Sequence, residues 1–512
     1  MNLTLSFFYS LKLYLLASVL GALAVLGFAP FYIFPAPIIA LVGLIILWAK
    51  TESAKTRFKL GFCFGLGLYG VGIYWIYISL HTFGGMPWWF AGFCTFCLCA
   101  FMALFPALVG WLTTRFGSLI ISAPILWGLS DWVRSWIFTG FPWLTMGYSQ
   151  VPHSPLAGYM PIVGVYGVSV ITVFIATIIG IGLVNKPHDL IWKRNVSAIV
   201  ILVIVAGGLL KIVEWTSPIG KTISVALLQG NIAQDEKWSP EIAQATIDQY
   251  MQMIMASKAQ LIVTPETALP VISSQLDASV ITALGAKAKL NGGSMIVGMV
   301  EVKAEPNKKT DGYFNSAISV GSTPTQIYAK NHLVPFGEFI PLKQVFGWIY
   351  RVYLNIPLSD LSRGVTQQTP MNLVGQKIAV NICYEDVFGE EIIRQLPAAT
   401  MLINMTNDAW YGQSYAADQH MQFSQARALE TGRMMLRATN TGATAAIDQH
   451  GYVLAHAPHF TKTTLNVLAQ GYSGSTPYVH WGNWPFIVFC FSVLACLTLA
   501  KKTISKVKLD FY

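Results

Sequence analysis

Three reactive side chains stand at the ends of apolar runs in the middle of this chain. Glu266 closes Leu-Ile-Val-Thr-Pro-Glu, Lys330 closes Gln-Ile-Tyr-Ala-Lys, and Cys383 closes Ile-Ala-Val-Asn-Ile-Cys. A thiol reacts as its thiolate and needs a base to take its proton, and a carboxylate can serve. The tetrahedral intermediate formed at a carbonyl carries negative charge, which an ammonium stabilises. Glu, Lys and Cys are thus a self-sufficient set for acyl transfer, with no cofactor implied. The nine histidines are scattered, without the spacing of metal ligands. Taken singly, each residue has a plainer reading: a Cys after a strand is core filler, and a strand-end Glu or Lys is solvated. The three share a position that favours the chemical reading, because α/β active sites gather beyond the carboxyl ends of strands.

The elements that must hold them begin near Thr222, where long apolar runs give way to short ones. Thr222–Gly230, Leu261–Thr264, Ser294–Val300, Asn315–Val320, Gln326–Lys330, Lys377–Ile382 and Met401–Met405 read as strands. Thr444–Asp448 and Tyr452–Ala455 form a further pair around a Gln449-His450-Gly451 turn. Helices are expected at 239–257, 274–289, 387–396 and Asp418–Arg433. Strands alternating with helices indicate an α/β domain.

The flanks of this region are membrane material. The chain has 512 residues, is 54% hydrophobic and only 11% charged, against about 25% charged for a soluble domain. Spans of about 20 helical residues are read near 10–27, 35–49, 60–80, 88–113, 118–136, 158–185, 195–213 and 484–500. The first lacks a small-residue cleavage site, being followed by Pro30 and aromatics, and is expected to stay attached. Basic residues cluster in alternate loops: Lys50, Lys55, Arg57 and Lys59; Arg115; Lys186, Lys193 and Arg194; Lys501, Lys502, Lys506 and Lys508. By the positive-inside rule these loops and both termini are cytoplasmic, which puts 214–480 outside the cytoplasm. The same placement explains the net charge of +9 without nucleic acid. The expected domains are 1–213 (seven spans), 214–480 (catalytic) and 481–512 (an eighth span and tail).

Other features keep two readings each. Cys63, Cys94, Cys97, Cys99, Cys490 and Cys496 lie in apolar runs, so the polar middle, with Cys383 alone, has no internal disulfide. Cys94-x-x-Cys97 has redox or metal spacing, but small buried hydrophobes explain it in a Phe- and Leu-rich span. Trp132, Arg134, Trp136, Gly140, Phe141, Pro142, Trp143 and Tyr148 are either an interfacial aromatic belt or the lip of a lipid cavity, to which Gly27–Pro30, Tyr74, Trp75 and His81 could add. Arg427, Glu430 and Arg433 could form an ion-pair face along a helix.

Thr264-Pro265-Glu266-Thr267, Lys330–Glu338 (Lys-Asn-His-Leu-Val-Pro-Phe-Gly-Glu) and Asn381-Ile382-Cys383-Tyr384-Glu385 resemble the three catalytic segments of the nitrilase superfamily. With Asn404-x-x-Asn407-Asp408-Ala409-Trp410-Tyr411-Gly412, Phe141-Pro142-Trp143, Gly147–Gln150 and the flanking spans, nearly the whole chain resembles the apolipoprotein N-acyltransferase family. The resemblance implies a nitrilase-like four-layer αββα sandwich inserted in an eight-helix transmembrane bundle. It implies Glu266 as general base, Lys330 as intermediate stabiliser and Cys383 as nucleophile. Glu338 is then a second essential acid, and Tyr384 and Glu385 shape the nucleophile turn. Trp238 matches a mobile-loop tryptophan, though a partly exposed anchor would read the same. Asn407 belongs to the block, and Asn407-Asp408 after a strand is also a common turn.

The implied reaction is a two-step transfer in the bacterial inner membrane, with the catalytic domain periplasmic. A phospholipid acylates Cys383, and the α-amine of a diacylated apolipoprotein takes the acyl group. Acyl chains leave the bilayer only at ~0.8 kcal/mol per CH₂, so the nucleophile must sit close above it. A membrane-anchored amidase would use the same triad but leaves eight spans unexplained. A transporter with an inert outer domain conflicts with spans nearly free of charge.

Overall fold

The computed structural model describes residues 2–185, 188–233, 240–304, 311–344, 347 and 360–509. Trp238 lies outside the described residues, as does Lys186. The chain divides into two compact units: Met1–Tyr74 with Gly92–Val213 and His480–Tyr512, and Trp75–Ala91 with Glu214–Val479.

The expected spans are helical except 60–80, which is broken at Ile73–Trp75. Among the described residues five helical stretches are long and apolar enough to cross a membrane: Ser10–Gly27, Trp88–Phe116, Pro155–Val184, Leu190–Leu210 and Trp484–Thr503. The chain is a membrane protein. The expected span 60–80 is instead a bent pair, Ala54–Gly72 and Ile76–Phe83, at 58°. Counting the pair as one span makes six among the described residues by length and composition. Pro35–Ala49 has 15 residues, about 22 Å at 1.5 Å per residue, which is short of a ~30 Å hydrocarbon core. Leu119–Arg134 has 16 residues and carries Asp131 and Arg134.

Those two charges are buried and paired, as charges inside a membrane unit must be. Arg134 Nη2 lies 2.7 Å from Asp131 Oδ1. The same guanidinium donates to the Trp143 carbonyl at 2.7 Å and to Thr145 Oγ1 at 3.1 Å. Within the aromatic loop Trp143 and Tyr148 are core residues, the Trp143 carbonyl held by Arg134, while Trp136 and Phe138 are exposed. Cys94 and Cys97 are free thiols.

The second unit holds two six-stranded sheets. The first uses β1 (Thr216–Gln229), β2 (Leu261–Val263), β3 (Ser294–Ala304), β4 (Asp311–Val320), β5 (Ile327–Ala329) and β12 (Thr463–Gly474) in the order β12-β1-β2-β3-β4-β5. The second uses β6 (Met371–Leu373), β7 (Gln376–Ile382), β8 (Met401–Thr406), β9 (Met435–Thr439), β10 (Ala445–Ile447) and β11 (Val453–His456) in the order β11-β10-β9-β8-β7-β6. β1–β3 run parallel, as do β7–β9, so their carboxyl ends emerge together.

Side chains alternate across each strand, and the alternation divides the core. Val225, Leu227, Val263 and Ile296 of the first sheet share one apolar cluster with Ile378, Val380, Ile403 and Leu436 of the second. The intervening Ala226, Leu228, Ile262 and Met295 meet Tyr250, Ile254 and Leu284 from helices Pro240–Ala256 and Ala278–Leu290. On the second sheet, Ala379, Leu402 and Met435 meet Met421 and Ala428 of helix Ala416–Thr431. The sheets thus contact each other on one face and helices on the other. Strands β6, β9 and β12 were not expected from sequence.

Candidate active site

Glu266 follows β2, Lys330 follows β5 and Cys383 follows β7, so three strand ends deliver the three groups. The Glu266 turn is held by a close backbone approach. Gly298 on β3 donates its N–H to Thr264 Oγ1 at 3.0 Å, and a Cβ at Gly298 would stand 2.2 Å from the Pro265 carbonyl oxygen. Lys330 is locked through its backbone, which donates to the Asn315 carbonyl at 2.8 Å and accepts from Gly364 N–H at 2.8 Å.

The side chains meet in a buried ion cluster. Lys330 Nζ lies 3.2 Å from Glu266 Oε1 and 2.9 Å from Glu338 Oε1. The ammonium is 1% exposed, too buried to carry a charge without partners. Burial opposes the charge, but Glu266 and Glu338 outweigh it and hold the pKa well above that of an ordinary lysine. Lys330 therefore stays cationic through any physiological pH. Asn315 on β4 spans the same two acids, with Nδ2 donating to Glu266 Oε1 at 2.7 Å and to Glu338 Oε1 at 3.1 Å. The other oxygen of Glu338 accepts from Val334 N–H at 2.8 Å.

Cys383 opens the turn Cys383–Val387 with φ +53, a left-handed conformation in a residue with a side chain. Such strain persists only where the surroundings over-determine it, and here they do. Glu385 Oε2 accepts from Ile382 N–H at 2.7 Å and from the Tyr328 hydroxyl at 2.9 Å. Its Oε1 accepts from the N–H groups of Asn331 and His332 at 2.7 and 3.1 Å. One carboxylate thereby ties the nucleophile turn to the segment that carries Lys330. Burial raises the Glu385 pKa to about 7 against the pull of these donors. Tyr384 is buried, its ring against His332 and Phe388. Cys383 itself is only partly buried. Desolvation and the Glu266 charge raise its thiol well above the ordinary range, with Lys330 pulling the other way. The Cys383 thiol therefore rests neutral, and could act as a nucleophile only by losing its proton.

Asn407 caps the turn Asp408–Tyr411, its side chain accepting from Ala409 N–H, and it takes a hydrogen bond from Asn440 at 3.1 Å. Tyr411 and Trp410 from that turn meet the Trp75–Ala91 segment. Trp75, fully buried, donates its indole N–H to Gln419 Oε1 at 3.1 Å and sits edge-on to Tyr411 at 4.7 Å, while Phe83 contacts Trp410. The segment Trp75–Ala91 is thus part of the catalytic unit.

Residues 20–178 match the family described as Apolipoprotein N-acyltransferase N-terminal domain, and residues 224–478 match Carbon-nitrogen hydrolase. A protein named Apolipoprotein N-acyltransferase from Nitrosomonas europaea is 47% identical over 489 residues, which are 94% of this chain and 96% of that one. The chain belongs to the apolipoprotein N-acyltransferase family. Proteins of the same name from Chromobacterium violaceum and Methylococcus capsulatus are 40% and 39% identical, covering 94% of this chain and 93% and 95% of their own. Membership makes the chain an acyltransferase, and its catalytic unit carries the carbon-nitrogen hydrolase domain.

Sequence reading brought Glu266, Lys330, Glu338, Cys383, Tyr384, Glu385 and Asn407 forward, and the fold gathers the first six, with Asn407 capping the turn after β8. It passed over Asn315, Tyr328 and His420, and named Asn404 only as part of the block with Asn407. The available signal was a polar residue at a buried position of an apolar strand, as at Asn315 and Asn404. Of the expected ion-pair face, Arg427 and Glu430 do pair, at 3.0 Å with both side chains buried, while Arg433 donates instead to the carbonyls of Ala399 and Gly474.

Proposed function

We propose that this chain moves a fatty acyl group from a membrane phospholipid to the α-amine of the N-terminal diacylglyceryl-cysteine of an apolipoprotein, through a thioester on Cys383. The observation that carries this reading is the buried ammonium of Lys330 between two carboxylates, beside a protonated thiol. Glu266 takes the thiol proton as Sγ attacks the ester carbonyl. The oxyanion forms against Lys330. Collapse expels the glycerol oxygen, which takes the proton from Glu266 and leaves as lysophospholipid. The α-amine then attacks the thioester carbonyl and gives its proton to Glu266. The Cys383 thiolate leaves and is reprotonated. Glu338 orients Lys330, and Tyr384 and Glu385 hold the nucleophile turn.

The catalytic unit is, on this reading, a four-layer αββα sandwich, which the cluster shared by both sheets and the helices on their outer faces support. Residues 214–480 lie on the periplasmic side of the inner membrane, and both termini are cytoplasmic. Support comes from the basic loops: Lys501 Nζ donates to the Arg115 carbonyl at 2.9 Å and Arg57 Nη1 to Thr113 Oγ1 at 3.0 Å. Three of the basic clusters thus meet at one end of the first unit. A reporter fused after Ser217 that stayed cytoplasmic overturns the orientation.

The reaction is tested by intact mass spectrometry after incubation with a phospholipid of known chains, beside Cys383→Ala. The expected result is one acyl adduct on the wild type, none on the variant, and discharge by a diacylated lipopeptide. Turnover of small amides with no adduct refutes the proposal.

A further inference from the structure

Behind the nucleophile turn lies a second charged cluster that the reaction scheme does not use. His420, on helix Ala416–Thr431, is 2% exposed. Its Nδ1 lies 2.8 Å from Asp408 Oδ1, and its Nε2 lies 2.9 Å from Asp386 Oδ1 and 3.2 Å from the Cys383 carbonyl oxygen. Arg437 on β9 closes the cluster, 2.8 Å from Asp386 Oδ2 and 3.4 Å from Asp408 Oδ2. The Ser424 hydroxyl also donates to Asp386.

Both ring nitrogens face carboxylate oxygens. A neutral imidazole has one N–H and one lone pair, so it would set that lone pair against an aspartate. Only the doubly protonated ring satisfies both contacts. The charges then balance: Asp386 and Asp408 against Arg437 and His420. Burial acts to lower the His420 pKa, but the two aspartates overcome it and the opposing charge of Arg437, and raise it to about 9. The cluster has no slack, because a Cβ at Gly442 (φ +115) would stand 2.6 Å from Asp408 Oδ2.

Its output is the Cys383 carbonyl, which accepts from His420 and from Asn404 Nδ2 at 3.1 Å. That carbonyl belongs to the residue with φ +53. We propose that His420 is a positioning residue for acyl transfer: as an imidazolium clamped by Asp386 and Asp408, it grips the Cys383 carbonyl and keeps the nucleophile turn left-handed. This rests on the thioester reading above. The groups that set its protonation are Asp386 and Cys383 from the nucleophile turn, Asp408 from the turn after β8, and Arg437 from β9.

The test is the single-turnover rate of thioester formation from a phosphatidylethanolamine of defined chains, followed by intact mass on the full-length protein from neutral pH to about 10. The variants are His420→Ala and the double variant His420→Gln/Asp408→Asn, which keeps an amide donor and a balanced Asp386–Arg437 pair. His420→Ala should acylate about tenfold to a hundredfold more slowly, the size of effect that a displacement near 1 Å produces, with half-saturation by phospholipid unchanged. The wild-type rate should fall through a step near pH 9 that the double variant lacks. Should His420→Ala fail to fold, the double variant decides. A folded double variant with the wild-type rate and the same step overturns the role of His420 while leaving the thioester reading intact. A wild type that forms no thioester at any pH overturns both.

Discussion

Asn315 offers the sharpest test of how the ion cluster works. Glu266 Oε1 and Glu338 Oε1 both lie within 3.1 Å of its Nδ2 and within 3.2 Å of Lys330 Nζ. Two carboxylate oxygens sharing two donors are then no more than about 6 Å apart, and at an effective dielectric near 20 they repel by roughly 3 kcal/mol. Asn315→Leu removes one of the two bridges at nearly the same volume. Hydrogen bonds to charged groups contribute about 1.5–3 kcal/mol, so the loss is about 2–3 kcal/mol, given that Lys330 still bridges the pair. If the geometry serves the transition state, single-turnover acylation of Cys383 should fall about thirtyfold to a hundred-and-fiftyfold, at about 1.4 kcal/mol per factor of ten. Asn315→Asp, which adds a third carboxylate to the cluster, should be worse than Asn315→Leu despite being closer in shape. The assay is the mass-resolved rate of thioester formation at saturating phospholipid. An Asn315→Leu protein within about threefold of wild type would refute the idea that this amide holds the two acids in place.

Three further outcomes follow from the same geometry. Because the Glu266 charge raises the Cys383 pKa, Glu266→Gln should abolish acyl transfer yet speed alkylation of Cys383 by iodoacetamide at any fixed pH. Alkylation of the wild type should keep climbing as pH rises past the ordinary thiol range, and slower alkylation in Glu266→Gln contradicts the assigned electrostatics. Gly298→Ala should cost about 1–3 kcal/mol of stability and more than about tenfold in acylation, since its Cβ meets the Pro265 carbonyl behind Glu266; thermal unfolding and the thioester assay read the two effects. Tyr328→Phe removes one donor from Glu385 and should cost about 1–2 kcal/mol in thermal stability with a smaller loss of rate, and an unchanged melting curve argues against the tie between the two segments.

β2 and β7, which carry Glu266 and Cys383, were legible as continuous apolar runs, as parallel strands covered on both faces are, and β5, an antiparallel edge strand, was legible from the short run Ile-Tyr-Ala before Lys330. β12 was not, since Thr-Thr-Leu-Asn-Val-Leu-Ala-Gln-Gly has polar residues at half its positions and pairs along one edge with β1. β9 was missed because Arg437 interrupts Met-Leu-Arg-Ala-Thr, and only the fold brings Asp386 and Asp408 to its guanidinium. The span 60–80 was read as one helix on hydropathy alone. Hydropathy does not register the 58° bend, and the partner that Trp75 finds beyond it, Gln419, lies 344 residues away in sequence. Of the site, the triad and its acids were readable from motif chemistry. The polar side chains that orient them were not, since an Asn or His in an apolar strand or helix looks the same whether its partner is a reactive group or a backbone carbonyl.

The charge count of the cluster explains why two acids surround one lysine. Glu338 alone neutralises Lys330, so the charge of Glu266 is the one left over. A buried site that had to create charge during the reaction would meet the full desolvation cost. Here, on the proposed scheme, it only moves charge. In the resting state the negative charge sits on Glu266, 3.2 Å from the ammonium. When the thiol proton passes to Glu266, the same charge reappears on the substrate oxygen against the same ammonium. The sum over Glu266, Lys330, Glu338, thiol and carbonyl is unchanged throughout. Without Glu338, Lys330 and Glu266 would form a closed neutral pair, and the ammonium, shared with no second acid, would hold Glu266 more tightly against taking the thiol proton. Glu338→Gln should therefore slow acylation by freeing Lys330 to hold Glu266 more tightly, and a single-turnover rate of thioester formation within about threefold of wild type would refute this charge count.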